Sequence, residues 1–521
     1  MTTDTTKSEN QSLPTFEPRG ERRLIYTSDP SNLAFYQVGG QVAHVPDAQT
    51  ARNDPARRED LIEWVDALAH NGMDTYAQTI YAQGWTVFFR SDQFEYDTRP
   101  QHQRFVSMMD AGITPLEVLI EQTHKRGMEF VAKFRMNDRH GHGGQGARFI
   151  LDNPSWGLAE FPGGHDFSFE PVRDYVFSVA DEVVERFDVD GLLFNYIRHG
   201  HCFPTDVARD RQPVMTEFLR GVREMLDQRG AQQRKNLTLG VMVPQRLEEC
   251  HNLGFDVPTW IREGLIDYIC PCDFHFPDFN APYEEFSQLT RESNCLLYPT
   301  LHPTLCHGDA TALLRPENYR GLAQNFYGAG ADGISIFNYQ YHWARKGGTA
   351  RYPGPVEGYP LSLSYLRDLR DPKAVASQPR HYRFHPLWGG TSPIGAVKDD
   401  KTILTREVGS TGEYRFRLCE RPTQGTQAVL YFTAQGLLSK DEIAVTLNGT
   451  EVQDFQRVFH ADGRLETFGR PLPPFSSVWF HLNQDLLNNG DNHLKVKLTH
   501  SAADTNSEVV VDEVEVVVMP A

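Results

Sequence analysis

The chain has 521 residues, of which 40% are hydrophobic and 23% charged. It therefore has enough apolar side chains to fold and is too long for one ordinary domain. Its 51 Lys and Arg against 69 Asp and Glu give a formal net charge of −18. A surface this acidic repels phosphate groups, so we expect neither a nucleic-acid partner nor an anionic membrane surface as a partner.

The N-terminal segment and the cysteines bear on the compartment. Residues 1–20 are polar and lack the apolar core of a signal peptide, so we expect a disordered tail there. The seven cysteines are odd in number and show no framework spacing, which favours free thiols. No run of 18 apolar residues exists to span a membrane. These features favour a cytoplasmic protein, or a periplasmic or secreted one if a signal was removed.

Residues 21–378 alternate short apolar runs with amphipathic stretches of helical length. The predicted strands are Leu24–Tyr26, Met73–Tyr81, Phe130–Met136, Gly191–Ile197, Leu237–Val243, Ile266–Cys270, Cys295–Leu301 and Gly333–Phe337. Strands separated in this way by helix-length sequence predict a (β/α)8 TIM barrel. An open doubly wound sheet is the structural alternative, and it is disfavoured because no glycine-rich phosphate loop opens an early helix.

Residues 379–521 have a different texture, in which strand-like alternation replaces helical periodicity. Examples are Glu413–Leu418 and Ile443–Leu447, and the second is followed by Asn448-Gly449, a typical hairpin turn. The pattern predicts a C-terminal antiparallel β-sandwich. It fits a structural appendage as well as a carbohydrate-binding module.

The third predicted strand carries unusual polar residues. Alternation directs Lys133, Arg135 and Asn137 into the barrel, with Phe130 to Met136 outward at every second position. Buried cations are costly unless they are paired. They therefore either pair with inward carboxylates or line a pocket for an anionic or polyhydroxylated ligand.

Active sites of such barrels lie at the carboxyl ends of the strands. Carboxylates are expected there at Asp29, Asp138 and Asp273. Cleavage of a glycosidic bond needs one carboxyl group as acid and one carboxylate as base or nucleophile. We therefore predict Asp138 and Asp273 as the catalytic pair, with their individual roles left open. Predicted substrate-binding residues are Asp29, Lys133, Arg135, Asn137, His140, Asn195, Tyr196, Arg198, His199, His275, His302, Asn338 and Tyr339.

Two histidine pairs favour a second chemistry. His140 and His142 follow strand three, and His199 and His201 follow strand four. Imidazoles clustered with a carboxylate at a barrel mouth can hold Zn²⁺ or Mn²⁺ and activate water. A metal-dependent hydrolase or isomerase is thus an alternative, and otherwise no cofactor is expected.

Three segments around strand four carry a family resemblance. They are Phe169–Tyr175 (FEPVRDY), Phe187–Leu192 (FDVDGL) and Tyr196–Arg198 (YIR). This pattern resembles glycosyl-hydrolase-like family 10, with a specific core at residues 169–199 and weaker similarity over about residues 22–345. The resemblance implies a (β/α)8 barrel and hydrolysis of polysaccharide or cell-wall glycans.

One position departs from that family pattern. Where the fourth strand of the family often has Asp, this chain has Asn195. An amide cannot act as a nucleophile or base. The main hypothesis is therefore a glycoside hydrolase whose carboxylates lie elsewhere, with an acidic (uronic or sulfated) sugar suggested by Lys133 and Arg135. A non-catalytic glycan-binding barrel is a further alternative.

Overall fold

The structure is a computed structural model. It describes residues 19, 23–82, 84–138, 140, 146–197, 199–273, 277–303, 314–340, 358–385, 400–420, 425–465, 471–483, 486–502 and 507–520. Residues 1–18 and 20 of the predicted tail lie outside the described residues, as do the predicted site residues His142, Arg198 and His275.

One parallel sheet forms the first part of the chain. Its strands are Arg23–Ser28, Thr75–Ala82, Glu129–Arg135, Gly191–Asn195, Thr238–Pro244, Tyr268–Cys272, a seventh strand in two segments, Leu296–Leu297 and Thr300–Leu301, and Gly333–Phe337. Neighbouring strands follow chain order, and strand one pairs with strand eight. The first segment of strand seven pairs with strand six and the second with strand eight, so the sheet closes. The predicted α/β barrel is confirmed.

Helices fill the intervals between the strands. The main ones are Arg58–His70, Pro115–Lys125, Glu170–Arg186, Gln212–Gln233, Val257–Arg262, Glu284–Thr290 and Pro316–Gly328. In the first of these, Leu61, Trp64, Val65 and Leu68 are buried, at the spacing of one helical face. This face packs against the outside of the barrel, which is where most of the apolar core lies.

Alternation along strand three is as predicted. Phe130, Ala132 and Phe134 belong to the core beneath the helices. Val131 belongs to a separate, smaller apolar cluster inside the barrel. Lys133 and Arg135 continue the inward face, so two cations point into the barrel interior.

The described C-terminal residues form two larger antiparallel sheets. The strands of the first are Arg380–Phe384, Thr402–Leu404, Gln427–Gln435, Gln456–His460, Phe475–Leu482 and Val509–Met519. Those of the second are Thr411–Leu418, Glu442–Leu447, Thr450–Glu451 and Gly490–His500. Leu447 pairs with Thr450 across Asn448-Gly449, whose φ values of 52° and 82° suit a tight hairpin. This hairpin was predicted and is confirmed.

Specific hydrogen bonds fix the C-terminal sheets to the barrel. Asn325 Nδ2 donates to the carbonyl oxygens of Phe279 (3.0 Å) and Arg417 (3.2 Å), and Asn325 Oδ1 accepts from the backbone N–H of Cys419 (2.9 Å). Arg417 also donates to Glu284 (2.6 Å). One asparagine of the barrel thus anchors a strand of the second part. No helix among the described residues is long and apolar enough to cross a bilayer.

Candidate active site

A buried arginine joins two carboxylates at the barrel mouth. Arg135 donates from Nε to Asp29 Oδ1 (3.1 Å) and from a terminal nitrogen to Asp138 Oδ2 (2.8 Å), and it also pairs with the second oxygen of Asp29. All three side chains are almost fully buried. The guanidinium therefore holds the carboxylates that follow strand one and strand three in one fixed arrangement.

Lys133 lies one step deeper on the same face of strand three. Its Nζ is 3.6 Å from Asp29 Oδ1 and 4.0 Å from the centre of the Phe337 ring. Burial lowers the pKa of Lys133 to about 7, against the attraction of Asp29. Both inward cations are thus occupied by carboxylates of the barrel itself. Of the two alternatives for these cations, this favours internal ion pairs over a pocket for an anionic ligand. The sequence argument for an acidic sugar is thereby weakened.

Asp138 and His140 form a close pair. Asp138 Oδ1 accepts from the backbone N–H of His140 (2.8 Å) and is 2.7 Å from His140 Nδ1. Burial alone would raise the pKa of Asp138, but His140 and Arg135 outweigh it and hold that pKa well below the usual range. Asp138 is therefore an ionised carboxylate at neutral pH.

His199 completes a cluster with this pair. The rings of His140 and His199 are 4.9 Å apart. One ligand atom from each of Asp138, His140 and His199 lies within 4.8 Å of the other two. His201 is not in the cluster, and its ring stacks on Phe161 at 3.6 Å. Among the described residues, the structure thus brings His140 of the first predicted pair together with His199 of the second.

Asp273 lies at the end of strand six. Its Oδ2 accepts from Gln245 Nε2 (3.3 Å), and its backbone oxygen is 3.0 Å from His302 Nε2. Gln245 follows strand five directly and accepts from the Tyr283 hydroxyl (3.1 Å). Sequence reasoning missed Gln245, although its place immediately after a barrel strand was a usable signal. Burial raises the pKa of the adjacent Cys272 thiol well above its usual value, which makes this thiol a poor nucleophile.

Two predicted ligand-binding asparagines instead brace the mouth. Asn338 Nδ2 donates to Asp29 Oδ2 (2.6 Å), and Asn338 Oδ1 accepts from the Asp29 backbone N–H (3.1 Å). Asn137 Nδ2 donates to the carbonyls of His165 (2.8 Å) and His201 (2.7 Å), which lie on two different loops. These amides are committed to the protein scaffold.

Asn195 differs from these two. It pairs in register with Arg135, so its side chain is on the inward face at the mouth. Its Oδ1 accepts from the Ile197 backbone N–H (2.8 Å). Its Nδ2 is buried and has no hydrogen-bond partner in the described part of the chain. An unpaired buried donor at this place is suited to a ligand oxygen.

Tyr196 and Tyr339 do not belong to the mouth. Tyr196 follows the inward Asn195 by one residue, so alternation turns it outward, where it packs on Phe255 with ring centres 4.6 Å apart. The Tyr339 hydroxyl donates to the Ser362 carbonyl (2.8 Å). Both rings lie in the apolar layer outside the barrel, so we correct their prediction as substrate-binding residues.

Comparisons with known proteins agree with the sequence resemblance. The family model described as "Glycosyl hydrolase-like 10" matches residues 41–207, which include barrel strands two to four. The curated "Glycosyl hydrolase YngK" of Bacillus subtilis (strain 168) is 22% identical over 264 residues, or 43% of this chain and 50% of the relative. The chain thus spans about half the length of that relative. The resemblance to a glycosyl-hydrolase-like family 10 protein is confirmed.

Similar solved structures include an alpha-L-fucosidase and a glycoside hydrolase domain. Alpha-L-fucosidase isoenzyme 2 from Paenibacillus thiaminolyticus has a TM-score of 0.41 and 14% identity, covering 68% of this chain and 49% of that chain. The PgaB (BpsB) glycoside hydrolase domain from Bordetella bronchiseptica has a TM-score of 0.39 and 12% identity, covering 67% and 98%.

Proposed function

We propose that this protein hydrolyses glycosidic bonds of an oligo- or polysaccharide at the mouth of its barrel. The observation that carries the proposal is the presence of two carboxylates, Asp138 and Asp273, at the carboxyl ends of strands three and six. This is the end of the barrel where such enzymes place their catalytic groups. The match to a glycosyl hydrolase-like family model over residues 41–207 supports the same reaction class.

The two carboxylates have different environments, which suggests their roles. Hydrolysis needs one group that gives a proton to the leaving oxygen and one that is ionised. Asp138 is held ionised by His140 and Arg135, so we assign it the role of the ionised base or nucleophile. Asp273 is then the proton donor. Asn195 would donate from Nδ2 to a sugar oxygen, a role that an amide can fill although it cannot act as base.

The substrate we propose is uncharged. Lys133 and Arg135 were the sequence argument for a uronic or sulfated sugar, but Lys133 is paired with Asp29, and Arg135 with Asp29 and Asp138. Paired cations do not offer an anion a binding site without breaking a buried ion pair. A neutral saccharide, recognised through hydroxyl groups, fits the remaining polar atoms better.

We further propose that residues 379–521 form a β-sandwich domain attached to a barrel domain of residues 21–378. Both C-terminal sheets bury apolar residues, Leu430 and Val516 in one and Phe416 and Val496 in the other, in a core that is continuous with that of the barrel. Two antiparallel sheets with buried apolar faces support the sandwich. The fixed attachment through Asn325 suits an accessory domain that holds a constant position beside the barrel.

The test is release of reducing ends from neutral, uronic and sulfated oligosaccharides by the full chain. We expect release from a neutral member, and a loss of at least about 100-fold in kcat for Asp138→Asn and for Asp273→Asn. Asp454→Asn, at an exposed position of the C-terminal part, is the matched control and keeps full activity. Release that is unchanged in both site variants would overturn the assignment of the carboxylates.

A further inference from the structure

We propose that Asp138, His140 and His199 bind one divalent transition-metal ion, Zn²⁺ or Mn²⁺, at the barrel mouth. The binding itself is inferred from the geometry of the cluster. Only the role of the ion in handling a saccharide rests on the proposed function.

The cluster has the ligand types and the spacing that such an ion requires. Two imidazoles and a carboxylate are typical protein ligands of Zn²⁺, with bonds of about 2.0–2.2 Å. Ligands of a tetrahedral ion at that range are separated by roughly 3.3 Å. The ligand atoms here are already within 4.8 Å of one another, and both imidazoles are only partly buried, so small side-chain rotations close the remaining gap.

The carboxylate is prepared for coordination. Ligating carboxylates are usually oriented by a hydrogen bond to their other oxygen. Arg135 supplies such a bond to Asp138 Oδ2 (2.8 Å), which turns Oδ1 toward His140.

A bound ion would give the barrel mouth a further group that can bind a ligand, next to Asp138. The three protein ligands leave a position open for water or for a sugar hydroxyl, as in sites that act on substrates. This position would lie beside Asp138 after strand three, and strands four and five separate it from strand six, which Asp273 follows.

The decisive measurement is metal binding without substrate. The untagged full chain is stripped with EDTA, dialysed into metal-free buffer at pH 8, and titrated with ZnCl₂ and with MnCl₂ by calorimetry, and bound metal is counted by elemental analysis. We expect one equivalent of one of these ions. His140→Ala and His199→Ala should each weaken binding at least about 10-fold.

His44→Ala, at an exposed position outside the cluster, is the control for adventitious histidine binding and keeps wild-type affinity. His199→Asn serves as a second, milder variant, and circular dichroism verifies that each variant is folded. Substoichiometric binding by the wild type would overturn the proposal. Binding that is equally strong in folded His140→Ala and His199→Asn would also overturn it.

The metal proposal and the proposed function fail in different ways. One bound equivalent with no release of reducing ends from any oligosaccharide would leave the metal site standing and contradict the hydrolase. Release that persists in EDTA, from a chain that binds no metal, would support the hydrolase and contradict the metal site.

Discussion

Arg135 on strand three extends to Asp29 at the end of strand one, with its Nε 3.1 Å from Asp29 Oδ1. The two side chains are buried, and strand two lies between their strands. The pair therefore ties together three neighbouring strands at the level where ligands of a barrel bind. Because Arg135 also holds Asp138, it supports one of the proposed catalytic carboxylates.

Removing Arg135 should strongly destabilise the protein. Arg135→Met removes the cation that two buried carboxylates share, and loss of one partner of a buried pair typically costs about 3–5 kcal/mol. Differential scanning calorimetry should show a lowered unfolding temperature for the barrel. Arg58→Ala breaks an exposed pair with Glu121 and should leave the transition nearly unchanged. Equally small shifts of the unfolding temperature in both variants would contradict a stabilising role of the Arg135 ion pairs.

Lys133 should make stability depend on pH above neutrality. Its pKa is lowered to about 7 in the fold, whereas an unfolded lysine titrates at about 10.4. Between these two pH values the unfolded chain binds one more proton at this lysine than the folded chain does. The free energy of unfolding therefore rises with pH, by at most about 1.4 kcal/mol per pH unit. Well below pH 7 both states are protonated and the contribution is constant.

Lys133→Met tests this linkage, because methionine retains most of the side-chain length without the charge. Unfolding temperatures of the wild type and the variant are compared from pH 6 to pH 9. We expect the wild type to gain stability relative to the variant between pH 7 and pH 9, and not between pH 6 and pH 6.5. Parallel curves over the whole range would show that Lys133 titrates normally.

Asn195 and Asn137 should respond differently to the same substitution. Asn137→Ala removes three hydrogen bonds that hold two loops, so we expect a loss of roughly 2–4 kcal/mol in stability. Asn195→Ala removes one intramolecular bond and a donor without a described protein partner, so the loss should be about 1 kcal/mol.

Steady-state kinetics with a saccharide substrate distinguish Asn195 from Asn137 further. Asn195→Ala should raise KM by about 5-fold or more with a smaller change in kcat, since a ligand hydrogen bond is typically worth about 1 kcal/mol. A KM for Asn195→Ala equal to that of the wild type would show that its Nδ2 does not contact substrate.

Backbone patterning made the barrel and its inward face predictable. Alternation placed Lys133 and Arg135 inside, and glycine after a helix marked boundaries such as Gly72, with φ of 78°. The partners of these cations were not predictable, because the Arg135–Asp29 pair joins residues 106 positions apart. The predictions for Tyr196 and Tyr339 failed, because nearness to a strand end in sequence does not decide which face a side chain takes.

The site beyond the strands depends on loops, whose geometry has no period in sequence. His199 joins Asp138, whereas His201, two residues later, stacks on Phe161 instead. The three asparagines of the mouth have the same chemistry, and only their hydrogen-bond partners separate the scaffold residues Asn137 and Asn338 from Asn195.

Asn325 should make the barrel and the C-terminal sheets unfold together. Its amide makes three hydrogen bonds that involve Phe279, Arg417 and Cys419, two of which lie in the C-terminal part. Asn325→Ala removes all three and should cost roughly 2–3 kcal/mol, most of it at the junction. Calorimetry should then resolve two transitions where the wild type shows one. Asn53→Ala, at an exposed helix end, should retain the single transition. Two transitions in the wild type itself would show that the junction does not couple the two parts.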